Sequence, residues 1–137
     1  MGIVVNDLEK NRDFWVNTMN FKLHIEALEE SPYIDELLAI KDPALKTVKL
    51  IDSTGFIIEL LKFENYQVGK SWSGDLKTTG LTHIALTVDN LDELVKGLFK
   101  DDYQTLSDIK VSPNGKVKVV FIKGPESLML ELVQELN

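Results

Sequence analysis

The chain reads as one unit written twice, and few folds accommodate that pattern. Shifting the first half by 83 residues lays Val5-Asn6-Asp7-Leu8 on Val88-Asp89-Asn90-Leu91, and a helical pattern follows in both. Shifting by 72 lays Leu50 on Ile122, Gly55 on Ser127 and Ile58-Glu59-Leu60 on Leu130-Glu131-Leu132 without a gap. The two offsets differ by 11 residues, so the first copy carries an insertion, for which residues 31–43 are the candidate. Each copy is a β-α-β-β-β unit of about 55–65 residues, too small to bury a stable core alone, so two should pack together.

The elements follow from local pattern. Gly2-Ile-Val-Val-Asn6 is a short apolar strand. Asn6 or Asp7 can cap a helix, with Glu9 placed as in a capping box. Leu8, Phe14, Trp15 and Met19 give its apolar stripe, and the helix should end near Asn20. Residues 21–27 alternate, which predicts a half-buried strand with Phe21, Leu23, Ile25 and Ala27 on one face. Ser31-Pro32 opens a short helix over residues 33–39. Residues 46–51 and 56–62 read as strands joined by the turn Asp52-Ser-Thr-Gly55. The second copy has strands at 81–88, 104–110 (weak), 116–123 and 128–134, a helix at 90–100 and the turn Ser112-Pro-Asn-Gly115. The expected organisation is one domain over 1–137, with modules at 1–63 and 80–137. The polar, glycine- and serine-containing stretch 64–79 is the linker.

Strand parity then places side chains. Ile84, Leu86 and Val88 form the better apolar face and should meet the helix, leaving His83, Ala85 and Thr87 on the other. Leu128, Leu130 and Leu132 face the helix, leaving Met129, Glu131 and Val133 opposite. By the repeat, Ile57, Glu59 and Leu61 share that second face. A carboxylate in an apolar strand is costly unless it is paired or bound to a cation. A lone histidine on a strand is more often a hydrogen-bonded core residue than a ligand. With Glu59 and Glu131 at matched places, His83 becomes a candidate metal ligand. Thr47, Lys49, Val119, Phe121 and Lys123 fall on the same face. Lys49 could hold an anionic substrate group or be a surface lysine. Tyr33 and Trp72 read either as covers over this face or as packing residues. His24 sits with Lys22 and Glu26 on a polar face and reads as a solvated rim residue.

Composition excludes some classes. There are no cysteines, so disulfides, thiolate sites and cysteine nucleophiles are absent, and any transition-metal site must use His, Asp or Glu. A net charge of −7 argues against nucleic acid, whose affinity comes largely from Lys and Arg on phosphates. No apolar run approaches the roughly 18 residues of a membrane span. The N-terminus shows no basic segment followed by an apolar core, so a cytoplasmic protein is expected.

Gly2-Ile-Val-Val-Asn-Asp-Leu-Glu, Gly55-Phe-Ile-Ile-Glu-Leu, Thr82-His-Ile-Ala-Leu-Thr-Val-Asp-Asn-Leu and Leu128-Met-Leu-Glu-Leu-Val-Gln resemble the vicinal oxygen chelate superfamily. This is the group of glyoxalase I, methylmalonyl-CoA epimerase, fosfomycin and bleomycin resistance proteins and extradiol dioxygenases. The resemblance spans nearly the whole chain. It implies an α+β fold in which two βαβββ modules form a cup-shaped mixed sheet around a divalent metal (Zn, Ni, Co, Mn or Fe). It also implies metal ligands at Glu59, His83 and Glu131, and a homodimer. The repeat mate of His83 would fall one residue before Met1. The family usually opens His-x-Gly-Ile-Val-Val, and this sequence begins at x. The expectation is a fourth ligand upstream of Met1, or else a three-ligand site with water in the gap.

The implied activity is that of a metal-dependent lyase or isomerase, glyoxalase- or epimerase-like. Such an enzyme stabilises an enediolate or enolate on the metal and moves a proton with a glutamate, Glu131 or Glu59. Two carboxylates favour this chemistry over the two-histidine, one-carboxylate set of iron dioxygenases. A non-catalytic small-molecule binding or antibiotic-resistance protein on the same fold is the alternative. Either way the expected partner is a small molecule, with Tyr33, Lys49 and Phe121 as candidate contacts.

Overall fold

The computed structural model describes residues 1–69 and 76–137. Trp72 lies outside the described residues. The chain divides into two compact units, Met1–Lys70 and Ser71–Asn137.

In the first unit the chain runs β1 (Gly2–Val4), α1 (Leu8–Asp13), β2 (Lys22–Glu29), α2 (Tyr33–Leu38), β3 (Leu45–Ile51) and β4 (Ile57–Phe63). The strands order as β1-β4-β3-β2; β1 is parallel to β4 and the other pairs are antiparallel. Asp7 is the cap of α1: its carboxylate accepts from the Lys10 amide at 3.0 Å, satisfying one of the orphan amides of the first turn. Its carbonyl takes the Asn11 side-chain amide at 2.8 Å, which lets Asn11 be buried. Past Asp13 the helix widens into a π-helical turn, Phe14–Thr18, in which the Met19 amide reaches back to the Phe14 carbonyl. Trp15 in this turn is fully buried, with Phe14 and Phe21 edge-on to its ring at 5.3 and 5.1 Å. Asn20, at φ 60°, ends the run; asparagine tolerates this left-handed conformation.

Parity holds along β3 and β4. Val48, Leu50, Ile58 and Leu60 are fully buried and pair across the strands as Val48↔Leu60 and Leu50↔Ile58. Each such side chain contributes about 1.5–3 kcal/mol of burial. The hairpin turn is closed by Asp52, whose carboxylate accepts from the amides of Thr54 and Phe56 and from the Thr54 hydroxyl. Gly55, at φ 90°, supplies the conformation the turn needs.

The alternation expected for β2 is broken. Leu23 pairs with Leu50 but Ile25 pairs with Lys49, so His24 is the extra residue of a β-bulge. A bulge sets two residues against one and shifts every later side chain to the other face. Leu23 and Ile25 therefore do not share a face. Both are about half exposed, at 52% and 47%, so the strand is not half-buried as its alternation predicts.

The second unit runs β5 (Ile84–Thr87), α3 (Leu91–Lys100), β6 (Gln104–Thr105), β7 (Lys110–Val111), β8 (Val117–Lys123) and β9 (Met129–Glu135). The sheet order is β5-β9-β8-β6, with β7 also on β8 and β5 parallel to β9. The weak strand expected at 104–110 is thus two short ones, both antiparallel to β8. Asn90 caps α3 through the Glu93 amide, and the Leu91 amide is taken by the Gln134 side chain. Leu91 and Leu98 are fully buried, as are Ile122, Leu130 and Leu132 of the sheet, whereas Phe99 turns outward.

The pairings in the two units obey the sequence offsets. Gly2↔Glu59 corresponds to Ala85↔Glu131, and Lys49↔Glu59 corresponds to Phe121↔Glu131.

Candidate functional site

In the second unit His83 lies one residue ahead of β5, on the strand's approach to β9. Its Nε2 is 3.1 Å from Glu131 Oε2, and both side chains are about 30% exposed. Its Nδ1 is 2.8 Å from the Thr82 hydroxyl. A hydroxyl both donates and accepts, so Thr82 supports either imidazole tautomer. The Phe121 ring stands edge-on to the imidazole, centroids 5.0 Å apart. Glu131 is held between the fully buried Leu130 and Leu132, which anchor β9 on its other face.

In the first unit Glu59 occupies the matching place on β4. The residue opposite it on β3 is Lys49, whose ammonium lies 3.7 Å from Glu59 Oε1. This pair is about one-third exposed on each side, and such pairs are worth about 0–1 kcal/mol. The same repeat position therefore carries a cation in one unit and an aromatic ring in the other. Thr47, on the same face, is buried and donates to Glu29 at 3.2 Å.

Of the remaining candidates, Tyr33 begins α2 and is 64% exposed. His24 is the exposed bulge residue of β2. Among the described residues, no group of three or more His, Cys, Asp or Glu side chains is gathered for a metal. An open depression of about 340 Å³ in the first unit, lined by Leu28, Glu29, Glu30, Ser31, Asp42 and Ala44, holds none of the candidate ligands.

The two donors of the second unit lie at hydrogen-bonding distance, a spacing that is also compatible with neighbouring ligands of a divalent cation. Metal–nitrogen and metal–oxygen bonds of about 2.0–2.2 Å set neighbouring ligands of an octahedral centre about 3 Å apart. The observed Nε2···Oε2 separation is 3.1 Å. A neutral imidazole oriented through its second nitrogen, as Thr82 orients His83, is the usual support for a metal-binding histidine.

One residue of this arrangement escapes a reading by motif. Thr82 points by parity away from the histidine's face, and only its position next to the ring reveals it. The Lys49–Glu59 pairing follows from the turn instead: with Asp52 opposite Phe56, the strands leaving it bring Lys49 opposite Glu59.

Known proteins resemble this chain in sequence or in fold. The protein YwkD of Bacillus subtilis (strain 168) is 26% identical over 135 residues, covering 98% of this chain and 94% of that protein. The crystal structure of a glyoxalase family protein from Bacillus cereus superposes with a TM-score of 0.91 at 20% identity, over 100% of this chain and 92% of that one. The fosfomycin resistance protein FosX of Listeria monocytogenes, solved with Mn(II) and sulfate, matches with a TM-score of 0.65 at 14% identity, over 98% and 88%. No helix among the described residues is long and apolar enough to cross a membrane. Residues 1–121 match the family described as the glyoxalase/bleomycin resistance protein/dioxygenase superfamily, and to that superfamily the chain belongs.

Proposed function

We propose that the protein is a metal-dependent lyase or isomerase, glyoxalase- or epimerase-like, acting on a small molecule as a homodimer. The observation that carries this reading is the His83–Glu131 pair at 3.1 Å, backed by Thr82. His83 and Glu131 would hold the divalent cation in the second unit, and Glu59 is the candidate ligand of the first. When bound, the cation supplies Lewis-acid stabilisation of negative charge on two neighbouring substrate oxygens. Glu131 takes the proton from the substrate carbon beside those oxygens and returns it, with Glu59 as the alternative base. Phe121, whose ring stands edge-on to the imidazole, is a further candidate contact for the substrate. Tyr33 and Lys49 contact the substrate, Lys49 through any anionic group it carries.

A second reading rests on Lys49. Its ammonium gives Glu59 a cation within the chain, which suits a binding or antibiotic-resistance protein that uses the fold without proton transfer.

Elemental analysis and calorimetric titration with Zn²⁺, Ni²⁺, Co²⁺, Mn²⁺ and Fe²⁺ test the first reading. Stoichiometric binding that is lost in His83→Ala supports it. Assays of hemithioacetal isomerisation and of 2-methylmalonyl thioester epimerisation then separate the two reactions. No metal affinity, together with tight binding of an aromatic or drug-like ligand, moves the assignment to the second reading.

A further inference from the structure

The strand β2 is exposed in a way that no other long strand of the first unit is. It closes one end of its sheet, so among the described residues one edge of its backbone has no strand beside it. It is eight residues long, and six of them are exposed, including Leu23 at 52%, Ile25 at 47% and Leu28 at 59%. A long, apolar, open edge strand is a template for pairing with another chain unless something covers it.

The sequence of β2 is complementary to itself in one register. We propose that β2 pairs antiparallel with β2 of a second copy of this chain, about a two-fold axis at Glu26. Lys22 then lies opposite Glu29 of the partner subunit, Leu23 opposite Leu28 of the partner subunit, and Ile25 opposite Ala27 of the partner subunit. The bulged His24 is skipped. The faces agree throughout, as the β3 partners of each residue show. Leu23 and Leu28 sit over Leu50 and Lys46 on one face. Lys22 and Glu29 sit over Ile51 and Leu45, and Ile25 and Ala27 over Lys49 and Thr47, on the other. Without the bulge, Leu23 and Leu28 would project to opposite faces and could not meet. The bulge thus sets the register that makes the edge self-complementary.

Charge argues for the same register. Lys22 and Glu29 form two opposite-charge pairs per dimer, and the two leucine pairs close off the same ends. At the axis the two Glu26 carboxylates approach, and each has the Arg12 guanidinium 4.0 Å away to offset the repulsion. Sliding the pairing by two residues in either direction sets Glu26 opposite Leu28 or Leu23. Such an isologous contact needs only one patch on the chain, the commonest form of soluble oligomer.

This inference rests on the homodimer within the proposed function and names the surface that forms it; it is independent of metal and of chemistry. Sedimentation velocity across a concentration series tests it, with circular dichroism and melting curves as controls for folding. The wild-type chain is expected to be a dimer. Leu28→Arg, at an exposed position, should keep the fold and raise the dimer dissociation constant about 100-fold or more, since each dimer loses two apolar pairs and gains two misplaced charges. Lys22→Glu sets like charges opposite each other twice and should weaken the dimer about tenfold. Adding Glu29→Lys to Lys22→Glu restores opposite charges and should recover most of that loss. A wild-type monomer overturns both the homodimer and this surface. A dimer indifferent to Leu28→Arg and to the charge reversal overturns the surface alone and leaves the homodimer standing.

Discussion

His83 Nε2 and Glu131 Oε2 face each other at 3.1 Å because β5 runs parallel to β9 with Ala85 opposite Glu131. The two residues are 48 apart in sequence, and the parallel pairing of β5 with β9 brings His83, one residue ahead of β5, near Glu131. The fully buried Leu130 and Leu132 lock β9 against movement, so the carboxylate presents to the imidazole at low entropic cost.

Thr82 should tune this pair without touching what it binds. Its hydroxyl holds His83 Nδ1 at 2.8 Å and so fixes the ring's rotation. Thr82→Val keeps the shape and removes the hydrogen bond. Metal affinity, read by calorimetry, should fall about 10–100-fold in this variant, with little change in melting temperature. Thr82→Ser should restore it. An unchanged affinity in Thr82→Val means that the ring is oriented by packing against Phe121 instead.

Lys49 should oppose metal binding in the first unit. Its ammonium shares the Glu59 carboxylate at 3.7 Å, and a cation ligated by Glu59 would have to compete with it. Lys49→Met removes the competitor and keeps the stem. Stability should change by less than about 1 kcal/mol, since the pair is partly solvated. Metal affinity should rise. An unchanged or lower metal affinity means that Lys49 does not compete for Glu59; its proposed contact with the substrate is read separately, from a lost response to anionic ligands in Lys49→Met.

The same comparison of residues shows what the sequence made legible. The repeat offsets located Glu59 and Glu131 at matching places, and strand parity set Lys49 and Phe121 on the same face, because hairpin registers are set by turn length and strand parity, both visible in one sequence. The β2 bulge was not legible. The alternation of Phe21, Leu23, Ile25 and Ala27 is that of a regular half-buried strand, and only pairing with β3 shows where a residue is skipped. The π-helical turn at Phe14–Thr18 was hidden for a similar reason: no local propensity marks it, and the packing of Trp15 against Phe14 and Phe21 is seen only in the fold. Thr82 was missed because its contact is with its own neighbour, and parity places it on the opposite face.

The core of each sheet should respond alike, because the repeat gives equivalent positions equivalent burial. Leu60 and Leu132 are both fully buried and pair with Val48 and Val120. Leu60→Ala and Leu132→Ala should each cost about 2–5 kcal/mol in chemical denaturation, from lost transfer energy and the cavity left behind. Exposed Leu81→Ala, at a side chain 72% exposed, is the control and should change stability by less than about 0.5 kcal/mol.

Asp52 should make the first unit acid-sensitive. Partial burial raises its pKa, but the Thr54 hydroxyl and the amides of Phe56, Thr54 and Gly55 outweigh this and hold the carboxyl below its ordinary value. The sign follows from linkage. A carboxyl that is more acidic in the folded chain than in the unfolded chain stabilises the fold above its unfolded pKa. That contribution is lost as pH falls through the folded value. Asp52→Asn keeps an acceptor oxygen but no charge. The stability gap between wild type and Asp52→Asn, from urea melts at a series of pH values, should be widest near neutrality. It should close between about pH 5 and pH 2, where Asp52 takes up its proton. A gap that stays constant over that range would place the contribution of Asp52 in its hydrogen-bond geometry rather than in its charge.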